Sequence, residues 1–482
     1  MNLKLVLRSL GILLVCEAIS IIPSLIISTI YRDGDFGSFL VTIIIISIIA
    51  LILLSIKPDS KKIYPRDGFA IVAFGWILIS LLGALPFYLS RAIPSFIDAF
   101  FESSSGFTTT GASILLQIEG LPHGILFWRS FTHWVGGMGI LVLTIALLPS
   151  MGIGSMQIMK AESPGPVVDK LVPRLGKTAK ILYSIYFCMT LLEILLLCIA
   201  KMPLYDSIVH SLGTVGTGGF SIMNSSIAHY NSVPIDIIIT IFMVLSGVNF
   251  SLYYLIIKGN FKGFWKNEEF KLYISILSIA TLLITFDLLM KNTYKSFGTA
   301  LRYSSFQVAS VMSSTGYATA DYNTWSIFSK VILLLLMFIG GCAGSTGGGI
   351  KNIRFLIFFK SMKNSLLRII HPRGVYSVRV NDKAMDGKTV SDVLVYFYIY
   401  MTVFTIGVII ISFNGMDIGT TVSSVLATLS NIGPGIELVG PTGNYSAFSA
   451  LSKITFSIIM IIGRIEIYPI IILLLPQFWK RN

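Results

Sequence analysis

Long apolar segments recur along this chain, and they constrain its fold more than any other feature. Hydrophobic residues make up 54% of the 482 residues and charged residues only 12%, whereas a soluble protein carries roughly twice that charged fraction. A helix needs about 20 apolar residues to cross a bilayer, so the sequence predicts an all-α polytopic membrane protein. Ten transmembrane helices are predicted, at 10–31, 38–56, 69–90, 127–149, 181–201, 234–257, 271–290, 326–358 (interrupted), 391–413 and 452–476.

The net charge of +13 would suggest a nucleic-acid partner in a soluble protein, but here it predicts orientation and no nucleic acid. Lysine and arginine concentrate in the cytoplasmic loops of membrane proteins. If the predicted spans are right, the basic segments fall on one side together with both termini: 57–66, 160–180, 258–271 and 351–388. We therefore expect that side, with both termini, to be cytoplasmic.

The four cysteines, Cys16, Cys188, Cys198 and Cys342, lie in or beside apolar segments. Their spacing suits neither a zinc site nor a disulfide framework. We expect them to be buried free thiols.

Four connections on the opposite side of the membrane share one pattern, a short amphiphilic stretch followed by a small, polar turn that contains glycine. They are 97–113, 204–221, 301–319 and 418–435. Each lies between two predicted spans, so the chain contains four pseudo-symmetric helix–pore-loop–helix repeats that can close around a central pore. We assign the repeats to 67–150, 180–257, 270–358 and 390–476, and a separate N-terminal two-helix domain to 1–56.

The glycine turns indicate ion binding by backbone oxygens. Irregular backbone inside a membrane is tolerated only where it is buried in protein or lines a water-filled cavity. Converging turns would offer rings of carbonyl oxygens that replace the hydration shell of an ion, and glycine permits the backbone angles that this requires. The absence of a carboxylate ring favours a monovalent cation. One such turn would be an ordinary loop, but four predict a selectivity filter, with ion-binding residues Thr110, Gly111, Gly218, Gly219, Thr315, Gly316, Ile432 and Gly433.

A glycine-rich run at 340–349, GGCAGSTGGG, interrupts the eighth apolar segment. A phosphate-binding loop is disfavoured, because Ile350 separates the glycines from Lys351, Asn352 stands where Ser or Thr is needed, and no strand precedes the run. Groups of glycines also cause passive kinks in helices. We favour a mobile intramembrane loop that blocks the pore, since its residues are small and polar. The predicted gate residues in it are Gly340, Gly341, Gly344, Ser345, Thr346, Gly347, Gly348 and Gly349.

Arg464 lies midway along the last predicted span, where a charge is costly unless it faces water or the protein interior. Glu466 is not expected to pair with it, because residues i and i+2 do not share a helix face, and Glu17 is a distant candidate partner. We expect Arg464 to face the permeation path just below the filter, as an electrostatic barrier that forms the gate together with the loop. His133 and His210 are expected to be polar packing residues.

These motifs resemble the TrkH family of Trk-type potassium uptake proteins, within the Trk/Ktr/HKT superfamily of K⁺ transporters. The resemblance rests on TTTGA (108–112), TGGF (217–220), SSTGY (313–317), NIGPG (431–435), GGCAGSTGGG (340–349) and GRIEIYP (463–469), and it covers nearly the whole chain. It implies K⁺ as the transported ion, a gating loop at 340–349, a homodimer, and a cytosolic nucleotide-binding regulatory ring of the TrkA kind. Relatives with serine in the first turn are associated with sodium permeation, so Gly111 argues against that here.

The sequence therefore predicts potassium uptake across a bacterial inner membrane by channel-like permeation. Neither covalent chemistry nor an organic cofactor is implied, so the chain is not expected to be an enzyme. The alternative is a Na⁺- or H⁺-coupled secondary symporter that binds its ions at broken helices, and parallel rather than inverted units favour the channel. The basic run 363–380 follows either from the positive-inside rule or from docking of the regulatory ring.

Overall fold

Helices make up nearly all the regular structure in the part of the chain that the structure describes. The computed structural model describes residues 1–58, 60, 63–139 and 175–480. In chain order the α-helices are α1 (Leu3–Tyr31), α2 (Phe36–Ser55), α3 (Pro65–Leu82), α4 (Leu85–Leu89), α5 (Phe96–Phe107), α6 (His123–Gly137), α7 (Leu175–Ile199), α8 (Leu204–Gly216), α9 (Val233–Ser246), α10 (Phe250–Ile257), α11 (Phe261–Lys266), α12 (Glu268–Met290), α13 (Phe297–Met312), α14 (Ile327–Leu336), α15 (Asn352–Ile370), α16 (Gly387–Ser412), α17 (Ile418–Leu429), α18 (Ala450–Arg464), α19 (Tyr468–Leu473) and α20 (Pro476–Trp479). Within these described residues a short antiparallel hairpin, β1 (Arg379–Val380) and β2 (Lys383–Ala384), precedes α16.

Several of these helices are long and apolar enough to cross a membrane, as the sequence predicted. In the part of the chain that the structure describes there are six, or seven if one strongly bent pair counts as a single span. The six are Leu3–Tyr31, Phe36–Ser55, Pro65–Leu89, Ala179–Ile199, Glu268–Met290 and Gly387–Ser412. The predicted number of ten is not confirmed, and the predicted span 127–149 and the basic loop 160–180 lie partly outside the described residues.

Two predicted spans are broken rather than continuous. The span 234–257 bends by 95° between α9 and α10, at Gly247. The span 452–476 ends as a helix at Arg464, after which Glu466 and Ile467 take positive φ angles of 58° and 69°. A β-branched residue such as isoleucine rarely adopts that conformation. Such irregular backbone is tolerated at membrane depth where protein surrounds it, and Glu466 and Ile467 are both buried.

The N-terminal helix pair packs against the first predicted repeat. A Cβ built on Gly75 in α3 would lie 2.9 Å from a methyl carbon of Leu13 in α1, so the two helices approach closely there. At the far end of α1, the Asp33 carboxylate accepts hydrogen bonds from the His123 backbone nitrogen (2.8 Å) and ring Nδ1 (2.7 Å). Burial raises the pKa of Asp33, but the hydrogen bonds and charge of His123 outweigh it and hold that pKa below its usual value.

The cysteines are free thiols, but their burial differs from the prediction. Cys16 and Cys342 are buried, whereas Cys188 is exposed and Cys198 is partly exposed. Cys188 lies on a face of α7 that also exposes the apolar side chains Phe187 and Leu191. The prediction of a buried thiol was wrong for Cys188, because a lipid-facing helix surface is apolar without being inside the protein.

Four short helices, α5, α8, α13 and α17, occupy the connections that the sequence singled out. They contain 12, 13, 16 and 12 residues, too few to cross a bilayer, which needs about 20. Most of their residues are buried in the protein. Each ends immediately before one of the glycine turns, so four helix C-termini are directed at the turns.

Candidate functional site

The four glycine turns adopt one backbone conformation although their sequences differ. In each turn the glycine and the residue two positions before it both have positive φ angles. The values are 55° and 79° at Thr109 and Gly111, 55° and 78° at Thr217 and Gly219, 58° and 85° at Ser314 and Gly316, and 54° and 90° at Asn431 and Gly433. In each turn the residue before the glycine also donates its backbone N–H to the carbonyl five positions earlier, over 2.8–2.9 Å. The repeated pattern in the sequence is therefore a repeated structure.

The glycines of successive turns lie against one another in a closed cycle. A Cβ atom built on any of the four would overlap the carbonyl oxygen that precedes the glycine of a neighbouring turn. The contacts run from Gly111 to the Gly218 oxygen, from Gly219 to the Thr315 oxygen, from Gly316 to the Ile432 oxygen, and from Gly433 back to the Thr110 oxygen. All eight predicted filter residues thus meet at one place. Side chains are excluded there both by the positive φ angles and by the neighbouring carbonyls.

The centre of this cycle is built from uncharged oxygen ligands. Within the described residues, no group of three or more His, Cys, Asp or Glu side chains is arranged to hold a metal ion. Two pairs of hydroxyl groups at the turns bond to one another, Thr108 with Thr110 (2.8 Å) and Ser313 with Thr315 (2.7 Å). A cation at this position would therefore be coordinated by neutral backbone and hydroxyl oxygens.

His133 supports the second turn from behind, a role that sequence reasoning missed. Its Nε2 accepts a hydrogen bond from the Phe220 backbone N–H (3.2 Å), so Nδ1 carries the proton and donates it to the Gly106 carbonyl (2.8 Å). The ring fills the space in which a side chain on Gly218 would lie. His133 is more than the polar packing residue that was expected, since it links α5 to the second turn.

Tyrosine hydroxyls hold the chain just after the turns. Tyr445 donates to the Gly433 carbonyl (2.7 Å) and Tyr322 donates to the Gly435 carbonyl (2.8 Å). The hydroxyl of Tyr317 lies 3.2 Å from the Phe220 carbonyl. One lone pair of the Gly433 oxygen thus accepts a hydrogen bond from the Tyr445 hydroxyl. Tyr322 and Tyr445 lie outside the short motifs, so motif matching alone could not have identified them, whereas Tyr317 is the last residue of SSTGY.

A buried ion pair joins the first two turns. Glu102 Oε1 accepts from Arg129 Nε over 2.5 Å, and both side chains are 2% exposed or less. Arg129 also donates through Nη1 to the Ser221 carbonyl (2.8 Å) and stacks over the ring of Phe220, 3.8 Å from its centroid. The sequence did contain a signal for this pair, because a charged residue within a predicted span usually has a structural or functional partner.

The glycine-rich loop 340–349 separates α14 from α15 and packs against the third and fourth turns. Gly348 donates its backbone N–H to Ser314 Oγ (2.6 Å). A Cβ on Gly347 would lie 2.8 Å from the Ser313 carbonyl oxygen, and a Cβ on Gly348 would lie 2.5 Å from that of Ser430. Bulkier residues at these positions would push the loop away from the turns.

The loop is closed at its ends and docked on the break between α9 and α10. Gly340 N–H donates to the Ile350 carbonyl (3.0 Å), and Asn352 N–H donates to the Gly341 carbonyl (3.1 Å). The other contacts are made by Cys342 N–H with the Gly247 carbonyl (2.8 Å), Phe250 N–H with the Gly344 carbonyl (3.0 Å), Ser345 Oγ with the Cys342 carbonyl (2.6 Å) and Thr346 Oγ1 with the Ser246 carbonyl (3.2 Å). The loop is therefore an ordered segment with defined partners.

Arg464 contacts this loop through a hydrogen bond. Its Nη1 donates to the Thr346 carbonyl (2.7 Å), and its Nη2 lies 2.5 Å from each of the carbonyl oxygens of Gly136 and Gly137 at the end of α6. Glu466 pairs instead with Arg354 of α15. Within the described residues the buried Glu17 carboxylate has no hydrogen-bond partner, so the structure does not pair it with Arg464. The guanidinium thus bridges the loop to the first repeat through carbonyl oxygens.

Comparisons with known proteins agree over the full length of the chain. The family model TrkH, described as a cation transport protein, matches residues 37–481. The Trk system potassium uptake protein TrkH of Salmonella typhimurium is 38% identical over 484 residues, covering 100% of both chains, and that of Escherichia coli K12 is 38% identical over 485 residues, again covering 100% of both. The crystal structure of the potassium transporter TrkH from Vibrio parahaemolyticus superposes with a TM-score of 0.89 at 34% identity and covers 100% of both chains. This chain belongs to the TrkH family.

Proposed function

We propose that this protein takes up potassium by channel-like permeation through the ring of glycine turns. The observation that carries the proposal is the closed cycle of contacts among Gly111, Gly219, Gly316 and Gly433. It brings four equivalent sets of carbonyl oxygens to one centre. Relatives that match the whole chain are named potassium uptake proteins, which supports K⁺ as the transported ion.

The electrostatics of the site favour a monovalent cation. Carbonyl dipoles attract a bare cation without the fixed charge that would hold it too tightly for release. The four short helices end at the turns, and each helix C-terminus carries roughly half a negative charge. Cations are therefore stabilised near the ring while anions are repelled, although the eight turn residues of the ring carry no charged side chain.

We further propose that the loop 340–349 and Arg464 form the gate. The contacts of Gly347 with the Ser313 carbonyl and of Gly348 with Ser314 support a position beside the filter turns. Arg464 adds a positive charge and a hydrogen bond that holds the loop in place. Conduction then requires the loop to leave this position.

The filter is tested by replacing Gly316 with serine and measuring K⁺, Rb⁺ and Na⁺ flux in liposomes. A side chain at Gly316 meets the Ile432 carbonyl, whereas Gly34 has a nearly equal φ (84° against 85°) and nothing within 4 Å of a built Cβ. Gly34→Ser is therefore a matched control with the same backbone strain. We expect Gly316→Ser to lower the preference for K⁺ over Na⁺ and Gly34→Ser to leave it unchanged. Unaltered selectivity in Gly316→Ser would remove the third turn from the filter.

The same liposomes separate the channel from the symporter. Flux down a K⁺ gradient with no Na⁺ and no pH difference is expected for a channel. Strict dependence of K⁺ flux on a Na⁺ or H⁺ gradient would instead establish coupled transport. Hydrolysis of a nucleotide by the purified chain would contradict the proposal that it is not an enzyme.

We also propose a homodimer in a bacterial inner membrane, with both termini cytoplasmic and a cytosolic nucleotide-binding ring of the TrkA kind as regulator. A basic surface supports the docking of the ring, since Lys363 of α15 and Arg373, between α15 and the hairpin, are both exposed. Light scattering of the purified protein tests the dimer. Charge reversal of Lys363 and Arg373 tests the docking surface, because it should weaken binding of the ring without changing flux through the isolated chain.

A further inference from the structure

The carboxylate of Glu269 accepts hydrogen bonds from two points that flank the glycines 344–349 of the loop. Its Oε1 accepts the backbone N–H of Ala343, inside the loop, over 2.6 Å. The same oxygen accepts the backbone N–H of Ile353, just beyond the loop, over 3.0 Å. Glu269 is only 4% exposed. One side chain from a different helix therefore fixes the two points between which the loop could hinge.

The neighbouring residue, Glu268, reaches the hairpin β1–β2. Its Oε2 lies 2.5 Å from Lys360 Nζ of α15, and Lys360 also donates to the Arg379 carbonyl of β1 (2.7 Å). The Glu268 backbone N–H donates to Asn381 Oδ1 at the tip of the hairpin (2.9 Å). Two consecutive glutamates thus connect the loop on one side and the hairpin on the other.

The start of α12 positions this pair. Asn267 caps the helix by accepting the Phe270 N–H over 2.9 Å, which places Glu268 and Glu269 in the first turn. Carboxylates are favoured there, because the helix N-terminus carries partial positive charge. The surface between the hairpin and the loop is also packed: Val378, Val380, Ile353 and Ile357 form one apolar cluster, with Ala343 against it.

We propose that Glu269 is a positioning residue that latches the gating loop, and that Glu268 ties this latch to the hairpin at 379–384. The inference rests on the proposed gate function of the loop. Displacement of the hairpin would pull on the first turn of α12, and loss of the Glu269 contacts would release the loop at both ends. A regulatory protein that binds the hairpin from the cytoplasm would thereby act on the gate without touching it.

Cys342 provides a direct reporter of the loop that does not depend on transport. It is 0% exposed in this closed arrangement and lies next to Ala343. With Cys16, Cys188 and Cys198 replaced by alanine, it is the remaining thiol of the four in the chain. Its rate of modification by a maleimide then measures how often the loop moves out of its packed position.

Glu269→Ala is expected to accelerate labelling of Cys342 by about tenfold or more, since hydrogen bonds to a charged group are lost at both ends of the loop. Glu269→Gln keeps an acceptor oxygen but not the charge. Its Cys342 labelling rate should therefore lie between those of the wild type and Glu269→Ala. Asp67→Ala is the matched control: Asp67 is also a buried carboxylate in a first helical turn, and it also accepts two backbone N–H groups, from Asn2 (2.8 Å) and Tyr64 (3.0 Å). It should leave the Cys342 rate unchanged.

Asn381→Ala tests the link to the hairpin and should accelerate labelling by less than Glu269→Ala. Labelling of Glu269→Ala at the wild-type rate would overturn the latch, and an unchanged rate in Asn381→Ala would overturn the link. Flux through the same preparations keeps the two proposals apart. Faster labelling with no K⁺ flux in any variant, wild type included, would refute the proposed function but support the latch. Selective K⁺ flux through the wild type, together with an unchanged labelling rate in Glu269→Ala, would support the proposed function and refute the latch.

Discussion

Replacing Arg464 with alanine is the most direct perturbation of the proposed gate. The guanidinium donates to the Thr346 carbonyl within the loop and to two carbonyls at the end of α6. Alanine removes these hydrogen bonds together with the positive charge. Because both changes favour a displaced loop and an easier path for a cation, we expect K⁺ flux to increase.

The magnitude follows from the hydrogen bond that Arg464 donates to the loop, at the Thr346 carbonyl. A hydrogen bond to a charged group contributes about 1.5–3 kcal/mol. If the bond to Thr346 exists only while the loop is seated, its loss shifts the equilibrium between seated and displaced loop by about ten- to 150-fold. Loss of the positive charge should raise the flux further. For a channel that is mostly closed, the range of about ten- to 150-fold is therefore a lower bound on the increase in K⁺ flux.

The assay is K⁺ uptake into liposomes at matched protein content, with Arg464→Lys as the informative companion. Lysine keeps the charge but cannot reproduce the planar fork of donors. If the charge dominates, Arg464→Lys should behave like the wild type; if the hydrogen bonds dominate, its flux should approach that of Arg464→Ala. Arg66→Ala is a suitable control, since Arg66 at the start of α3 bonds to the Lys480 carbonyl and not to the loop.

Unchanged or reduced flux in correctly inserted Arg464→Ala would refute the reasoning. Insertion is checked by size-exclusion chromatography of the purified variant. A higher flux that had lost K⁺ selectivity would point instead to damage of the filter, because Arg464 also contacts the helix behind the first turn.

Three further predictions concern residues that support the turns or stabilise the fold around them. Tyr445→Phe removes the hydrogen bond to the Gly433 carbonyl, about 1 kcal/mol, and should lower the K⁺ over Na⁺ preference in flux assays without abolishing folding. Glu102→Ala leaves the Arg129 charge buried and unpaired, which typically costs about 3–5 kcal/mol, so thermal unfolding should occur at a clearly lower temperature. Because the Asp33 pKa lies below its usual value of 3.8, the stabilising link to His123 is present at neutral pH and is lost as the pH falls through that lowered pKa. The difference in unfolding temperature between wild type and Asp33→Asn should therefore narrow below about pH 4.

The sequence was sufficient for the features that depend on local pattern. Apolar segments of bilayer length predicted spans such as α1, α2 and α16, and the four-times repeated glycine turn predicted the place where the chain converges. The position of Arg464 in an apolar segment predicted a polar environment inside the protein. Each of these inferences needs only a spacing or a solvation cost that is readable from consecutive residues.

The features that the sequence did not predict depend on contacts between distant residues. Hydropathy does not distinguish a continuous span from one that bends by 95° between α9 and α10, because both are equally apolar. The partner of Glu466 is Arg354, 112 residues away. His133 supports a turn whose Phe220 lies 87 residues later. No local pattern specifies such pairs; they follow from the packing of whole helices.

The ring is symmetric in its backbone but not in its surroundings, and that difference bears on gating. The same φ pattern recurs in all four turns, yet His133 is placed behind the second turn and Asn431 of the fourth turn bonds to Thr110 Oγ1 of the first (3.0 Å). The loop 340–349 belongs to the third repeat and contacts the third and fourth turns. If the loop is the gate proposed above, its displacement alone would open the path while the other sides of the ring keep their supports. In that proposal ion selection and gating are separable, since the atoms that would coordinate the ion need not move when the loop does.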